Sequence, residues 1–199
     1  SFREAAELAY FGAKVLHPAT IKPAIEHGIP VRILNSLNPS GAGTTIVADA
    51  PWTGPRAIAF KLGITVVLIS QPRMLMAHGF VARVFEVFDR HRTAVDLIAT
   101  SEVSISLTVD DAGRIGPIRD ELAALGEVEI LSDMAIVSVV GQGFLTSAGL
   151  AGRIFHTLRD VNLVMISFGA SDVNISFVLA AREAQAAVRR LHAALFEAA

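Results

Sequence analysis

Apolar residues follow two periods along this chain, and the switches between them mark out its elements. Spacing at every third or fourth position predicts an amphipathic helix, and alternation or a β-branched run predicts a strand. Phe2–Phe11 has the helical period. Thr20–His27 predicts a short helix that Gly28 can end, and Pro30–Leu34 a short strand. Turn residues fill Asn35–Thr45 (NSLNPSGAGTT), Ile46–Trp52 leads out, and Pro51 to Pro55 has the composition of a linker. The remainder alternates regularly. Strands are predicted at Ala57–Ile69, with a break at Lys61–Gly63, and at Val95–Ala99 and Val103–Val109. Others are predicted at Val128–Leu131, Ala135–Val140, Leu163–Phe168 and Val173–Leu179. One helix is predicted over Gly79–His91, with Val81, Val84, Phe85 and Phe88 apolar, and another over Ile118–Leu125, closed by Gly126. Ala148–Val161, with Thr146 or Ser147 as N-cap, and Arg182–Phe196 complete the set.

This order is β-α-β-β-α-β, then nearly the same again. A split β-α-β with a hairpin inside is the ferredoxin-like arrangement, so the fold class is α+β. The repeat is visible in the residues themselves. Displaced by 70 positions, Gly79–Leu107 falls on Gly149–Phe177 without a gap. Gly79 meets Gly149, Arg83 meets Arg153, Phe85 meets Phe155, and Ile105 meets Ile175. The turn acid is kept, Glu102 against Asp172. Asp96 is not kept: it meets Ile166, as Thr100 meets Ala170. The module therefore does not need an acid there. A half-buried carboxylate costs free energy unless a cation pairs with it. Two readings are open: an internal partner such as Arg83 or Arg92, or a cationic group on a ligand.

Composition narrows the classes of function. The 199 residues carry 17 basic and 19 acidic side chains, a net charge of −2, which disfavours nucleic acid or an anionic membrane held by bulk charge. With no cysteine there is no disulfide, thiolate metal site or Cys nucleophile. No apolar run reaches the roughly 18 residues that span a bilayer. SFREAAELAYFG reads as an amphipathic helix and not as a signal peptide. Ser1 stands where most full proteins have Met, so the chain reads as part of a longer one.

The motifs are weaker. Gly141–Thr146 (GQGFLT) resembles a dinucleotide fingerprint, but Thr146 replaces its third Gly and no ribose-binding acid follows the next strand. Ser40–Thr45 (SGAGTT) lacks the Lys of a P-loop. The six histidines form no close pair at helical spacing, so no metal site is expected.

Longer stretches carry a family resemblance. FGAKVLHPATIKPA (Phe11–Ala24) and IPVRILNSLNPSGAGT (Ile29–Thr44) closely resemble the end of the catalytic domain of aspartate kinases. VDLIATSEVSISLT (Val95–Thr108) and FGASDVNISFVL (Phe168–Leu179) resemble the two ACT modules that follow it. The first pattern is most similar to that of the lysine-sensitive aspartokinases. The resemblance implies a short α/β remnant of the amino-acid-kinase domain and linker at 1–50. It implies a first, inserted ACT module at 71–131, and a second made of 55–70 plus 132–199. It also implies a cytoplasmic protein whose parent transfers the γ-phosphoryl group of ATP, with Mg, to L-aspartate. Lys14 matches a nucleotide-contacting lysine, but the catalytic machinery is absent, so no catalytic residue, cofactor or activity is expected of this chain alone.

The resemblance further implies that the first module binds L-lysine as feedback inhibitor and pairs with the first module of a second subunit. The matching effector positions are Met74, Gly79, Phe80 and Val81 at the strand-to-helix corner, Val95 and Asp96 on a strand, and Thr100, Ser101 and Glu102 on the turn. Their chemistry suits an amino acid. Amides at a helix N-terminus suit the α-carboxylate, Asp96 the α-ammonium, and Glu102 a side-chain ammonium. The alternatives are a stand-alone or threonine-sensing ACT regulator, and a purely structural dimerisation module.

Overall fold

A computed structural model describes residues 1–12, 18–71 and 78–197. Elements in chain order are α1 (Phe2–Tyr10), α2 (Pro18–Glu26), β1 (Val31–Ile33), β2 (Thr44–Ile46), β3 (Gly54–Ser70), α3 (Phe80–Arg90), β4 (Ile98–Thr100) and β5 (Ser104–Val109). There follow α4 (Ile115–Leu122), β6 (Glu127–Gln142), α5 (Leu150–Thr157), β7 (Met165–Ser167), β8 (Asn174–Ala180) and α6 (Ala181–His192). The predicted Arg182–Phe196 helix is α6 followed by a wider π turn at Ala193–Glu197. Among the described residues, no helix is long and apolar enough to cross a membrane.

β1 and β2 form a small antiparallel ribbon, and the other strands form one antiparallel sheet in the order β4-β5-β3-β6-β8-β7. β3 and β6 are its two long central strands. The register divides each of them. Thr65–Ser70 of β3 pairs with β5, while Ala57–Leu62 pairs with Leu62's partner Ala135 through Val140 of β6. The same stretch of β6, Met134–Val140, pairs on its other edge with β8. Four-stranded units β4-β5-β3-β6 and β7-β8-β6-β3 therefore share the two long strands, each using one half of both. The second unit receives its fourth strand from residues that precede the first unit in the chain.

The pattern of bends explains how one strand serves two units. Gly63 and Asp133, 70 positions apart, both have left-handed backbones, φ 75° and φ 55°. Glycine adopts this region freely, and Asp tolerates it better than most residues. At these points the register shifts, and Ile64 pairs with Met134, its own counterpart in the repeat. The approximate two-fold axis of the duplication passes through that pair. The bend also reverses which face an odd-numbered residue occupies. The two strands predicted at Val128–Leu131 and Ala135–Val140 are thus one bent strand, interrupted by polar Ser132–Asp133.

Three apolar clusters follow. Val67 and Ile69 join Val84, Phe88, Ile105, Leu107, Ile118 and Leu122 beneath α3 and α4. Val137 and Val139 join Ile154, Leu158, Ile175, Phe177 and Leu191 beneath α5 and α6. The opposite side of the sheet carries Phe11, Leu97, Met134, Ile136, Met165 and Val178. Edge strands β4 and β7 approach one another over this third cluster. Complete burial of each such side chain contributes roughly 1.5–3 kcal/mol before conformational entropy is counted. α1 closes the end of the third cluster with Phe11, which is 2% exposed.

Candidate functional site

In the first unit, β3 leads toward a corner that ends at Gly79, whose φ of 74° turns the chain into α3. Phe80 is buried at 3% exposure, and Val81 faces solvent at 43%. Among the described residues the first-turn amides of α3 have no side-chain cap, and they are donors at the positive end of a helix dipole. The β4–β5 turn lies beside the end of β3, where Gln71 N donates to Val103 O at 2.8 Å. In that turn the Ser101 hydroxyl meets Ser104 Oγ at 2.7 Å and accepts from the amides of Val103 and Ser104. Thr100 ends β4, and Glu102 stands exposed at the tip. Val95 packs against the first core. Met74 and Lys14 lie outside the described residues.

Asp96 lies just before β4, not inside a strand running from Val95 to Ala99. Its amide still donates to Thr108 O at 2.9 Å, which holds it at the sheet edge. The side chain is 6% exposed. Its partner is neither Arg83 nor Arg92. Oδ1 accepts from the Tyr10 hydroxyl at the end of α1. Oδ2 lies 3.9 Å from Lys61 Nζ, and Lys61 is itself paired with Asp110. Among the described residues Oδ2 is buried and accepts no hydrogen bond.

The electrostatics follow from that packing. Burial, and then the neighbouring Asp110 carboxyl, push the Asp96 carboxyl up to about 6 against the opposing pull of Tyr10 and Lys61. Burial and the bond to Asp96 hold the Tyr10 phenol above its ordinary value. Burial also raises Glu7, although its carboxylate accepts from Asn174 Nδ2 at 2.5 Å. Glu7, Tyr10, Asp96, Ser167, Ser171 and Asn174 line a cavity of about 570 Å³ between α1 and the sheet edges. Tyr10, Lys61 and Asp110 are absent from the motif reading. Lys61 carries one signal, a cation inside an apolar strand, which the break predicted at Lys61–Gly63 hides.

Comparison with known proteins now decides the family. Residues 137–195 match the ACT domain. The chain is 42% identical to aspartokinase 1, chloroplastic, of Arabidopsis thaliana, covering 99% of this chain and 37% of that protein. It is 39% identical to lysine-sensitive aspartokinase 3 of Escherichia coli (strain K12), covering 99% of this chain and 46% of that protein. A regulatory domain assigned to the C-terminus of aspartate kinase from Porphyromonas gingivalis matches at 35% identity and a TM-score of 0.64, with 70% of this chain and 96% of that one covered.

The chain belongs to the aspartokinase family.

It corresponds to the C-terminal regulatory region and spans less than half the length of the curated relatives it matches. Two crystal structures of E. coli aspartokinase III superpose on the aspartokinase region described here at 38% identity. With aspartate and ADP (R-state) the TM-score is 0.88, covering 98% of this chain and 46% of that one. With lysine and aspartate (T-state) it is 0.84, covering 98% and 45%.

Proposed function

We propose that this aspartokinase region senses L-lysine through its first ACT module. Lysine sits at the seam between two paired first modules, where the Gly79–Val81 amides receive the α-carboxylate, Asp96 the α-ammonium and Glu102 the side-chain ammonium, with Met74, Val95, Thr100 and Ser101 around them. The observation that carries the reading is Asp96: a carboxylate with a buried oxygen that accepts no hydrogen bond among the described residues, at a position where the second copy has Ile166. An unsatisfied buried acceptor costs about 1–3 kcal/mol or more when charged, and an arriving ammonium offsets that cost. The lysine complex of the E. coli relative supports the choice of effector.

The proposal extends to the assembly and the parent protein. First modules pair across a two-fold axis, with 71–131 as the first module, 55–70 plus 132–199 as the second, and 1–50 as the end of the kinase domain. The parent phosphorylates L-aspartate with ATP and magnesium to give 4-phospho-L-aspartate, in the cytoplasm. The 199 residues alone supply regulation without turnover, and an ATP- and aspartate-dependent phosphorylation assay on them should give only background.

Calorimetry with L-lysine, L-threonine and L-methionine tests the reading. Heat and a thermal shift are expected with lysine at millimolar concentration, and none with the other two. Asp96→Ala should abolish the lysine signal and keep the fold. A silent wild-type titration overturns the proposal, and a threonine response reassigns the effector.

A further inference from the structure

The acid proposed to receive the effector is already engaged, and by residues from outside its module. Tyr10 belongs to α1, near the start of the chain, and Lys61 to the half of β3 that pairs with the second unit. Asp96 itself is almost wholly buried, at 6% side-chain exposure, whereas Tyr10 is 46% exposed and the Lys61 side chain 27%. The holders are thus long side chains that reach the surface, Tyr10 half-exposed and Lys61 partly so. Oδ1 carries the Tyr10 hydroxyl and the buried Oδ2 has Lys61 Nζ 3.9 Å away, so an incoming ammonium meets both holders.

We propose that Tyr10 competes with the effector: its hydroxyl, with the Lys61 ammonium, holds Asp96 in the effector-free molecule, and an α-ammonium binds only by taking the carboxylate from them. The inference rests on the reading of Asp96 as the effector's ammonium acceptor. Among the described residues four titratable groups face Asp96 or its cavity, and Tyr10 and Lys61 are the donor and the cation among them. Tyr10 and Glu7 come from α1, Lys61 from β3 and Asp110 from the end of β5. When the ammonium arrives, Lys61 keeps Asp110 as its partner. Tyr10 has no second acceptor among its described contacts and is set free. Tyr10 is the last residue of α1, inside the 1–50 segment proposed as the end of the kinase domain, so the exchange at Asp96 acts on that segment. The two events are reciprocal: effector binding and the seating of Tyr10 weaken each other by the same factor.

Tyr10 is the single tyrosine of the chain, so isotope-labelled tyrosine gives one ring-carbon NMR signal that reports its hydroxyl. Asp96→Ala sets the position of that signal with the bond absent. Saturating L-lysine should move the wild-type signal toward it. Tyr10→Phe removes the competing hydroxyl and keeps the ring, and it should bind lysine roughly tenfold more tightly by calorimetry. Lysine binding that leaves the tyrosine signal in place, or a Tyr10→Phe affinity that is unchanged or weaker, overturns the competition and leaves the lysine site standing. If the wild-type chain does not bind lysine, the effector reading fails and the competition falls with it.

Discussion

In the second copy of the module the turn acid is used within the module itself. The Asp172 carboxylate accepts from Leu145 N at 3.0 Å, its carbonyl accepts from Phe144 N at 3.2 Å, and Phe144 is thereby seated in the core at 4% exposure. In the first copy Glu102 occupies the same place on the turn and points to solvent. The surrounding frame is the same: Gln71 N donates to Val103 O at 2.8 Å, and its counterpart Gly141 N donates to Val173 O at 3.0 Å. The helices that follow both start after a left-handed glycine, Gly79 and Gly149. The duplication preserves the backbone and divides the labour of its acids. One copy closes its corner loop with its own carboxylate. The other holds Asp96, which the fold does not require, against partners borrowed from α1 and β3.

The largest expected break in this symmetry is at Gly141. Its repeat counterpart is Gln71, so a side chain is tolerated at that place in the first copy. In the second copy the chain enters β3 directly over it. A Cβ on Gly141 would stand 2.8 Å from the Gly54 carbonyl carbon and 2.9 Å from Pro55 Cα, both rigid backbone. Gly141→Ala should therefore destabilise the chain by about 3 kcal/mol, more than an ordinary overpacked core site. Chemical denaturation measures it. A loss below about 1 kcal/mol would mean that β3 can lift away from the second unit.

The next effect is electrostatic and is confined to the first copy. Asp96 titrates near 6 when folded, against 3.8 for the free side chain. Across that window the folded chain binds more protons than the unfolded one. Stability must therefore fall as pH rises from about 4 to about 6.5 and stay low above it. The size expected is roughly 2 kcal/mol. Raised Glu7 adds a slope of the same sign, and lowered Glu4 and Glu121 add the opposite one. These slopes are common to Asp96→Asn, so the difference between wild type and that variant isolates Asp96. Urea denaturation of both across the window checks it. Parallel curves would show that Asp96 is fully compensated by Tyr10 and Lys61.

How much of this was legible in the sequence depends on whether the information was local. The repeat was legible because 70-position identities such as Gly79/Gly149 and Ile105/Ile175 preserve both element type and core face. Asp96 stood out for the same reason, as a departure from that pattern. Its partners did not, because Tyr10 lies 86 residues away and only the curl of the sheet brings α1 to the β4 edge. Ser132–Asp133 looked like a turn between two strands, since polar residues and a left-handed backbone mark both turns and bulges. A hydroxyl at 146 or 147 looked like a helix cap, yet α5 begins after Gly149 without one. In that case local chemistry offered a cap, and the corner shared with the first copy decided against it.

The smallest expected effect separates the two turn acids directly. Asp172→Ala removes one amide acceptor and unseats the loop that carries Phe144, a loss of about 1 kcal/mol for a single hydrogen bond to a charged group near the surface. Glu102→Ala removes an exposed carboxylate from the matching place, and the stability should stay within about 0.5 kcal/mol of wild type. Lysine affinity should show the reverse order, weakened by Glu102→Ala and untouched by Asp172→Ala. Melting curves and lysine titrations on the same two variants therefore cross. If Glu102→Ala costs as much stability as Asp172→Ala, the first copy closes its corner as the second does. Glu102 would then be a structural residue, and only Asp96 would be left to the effector.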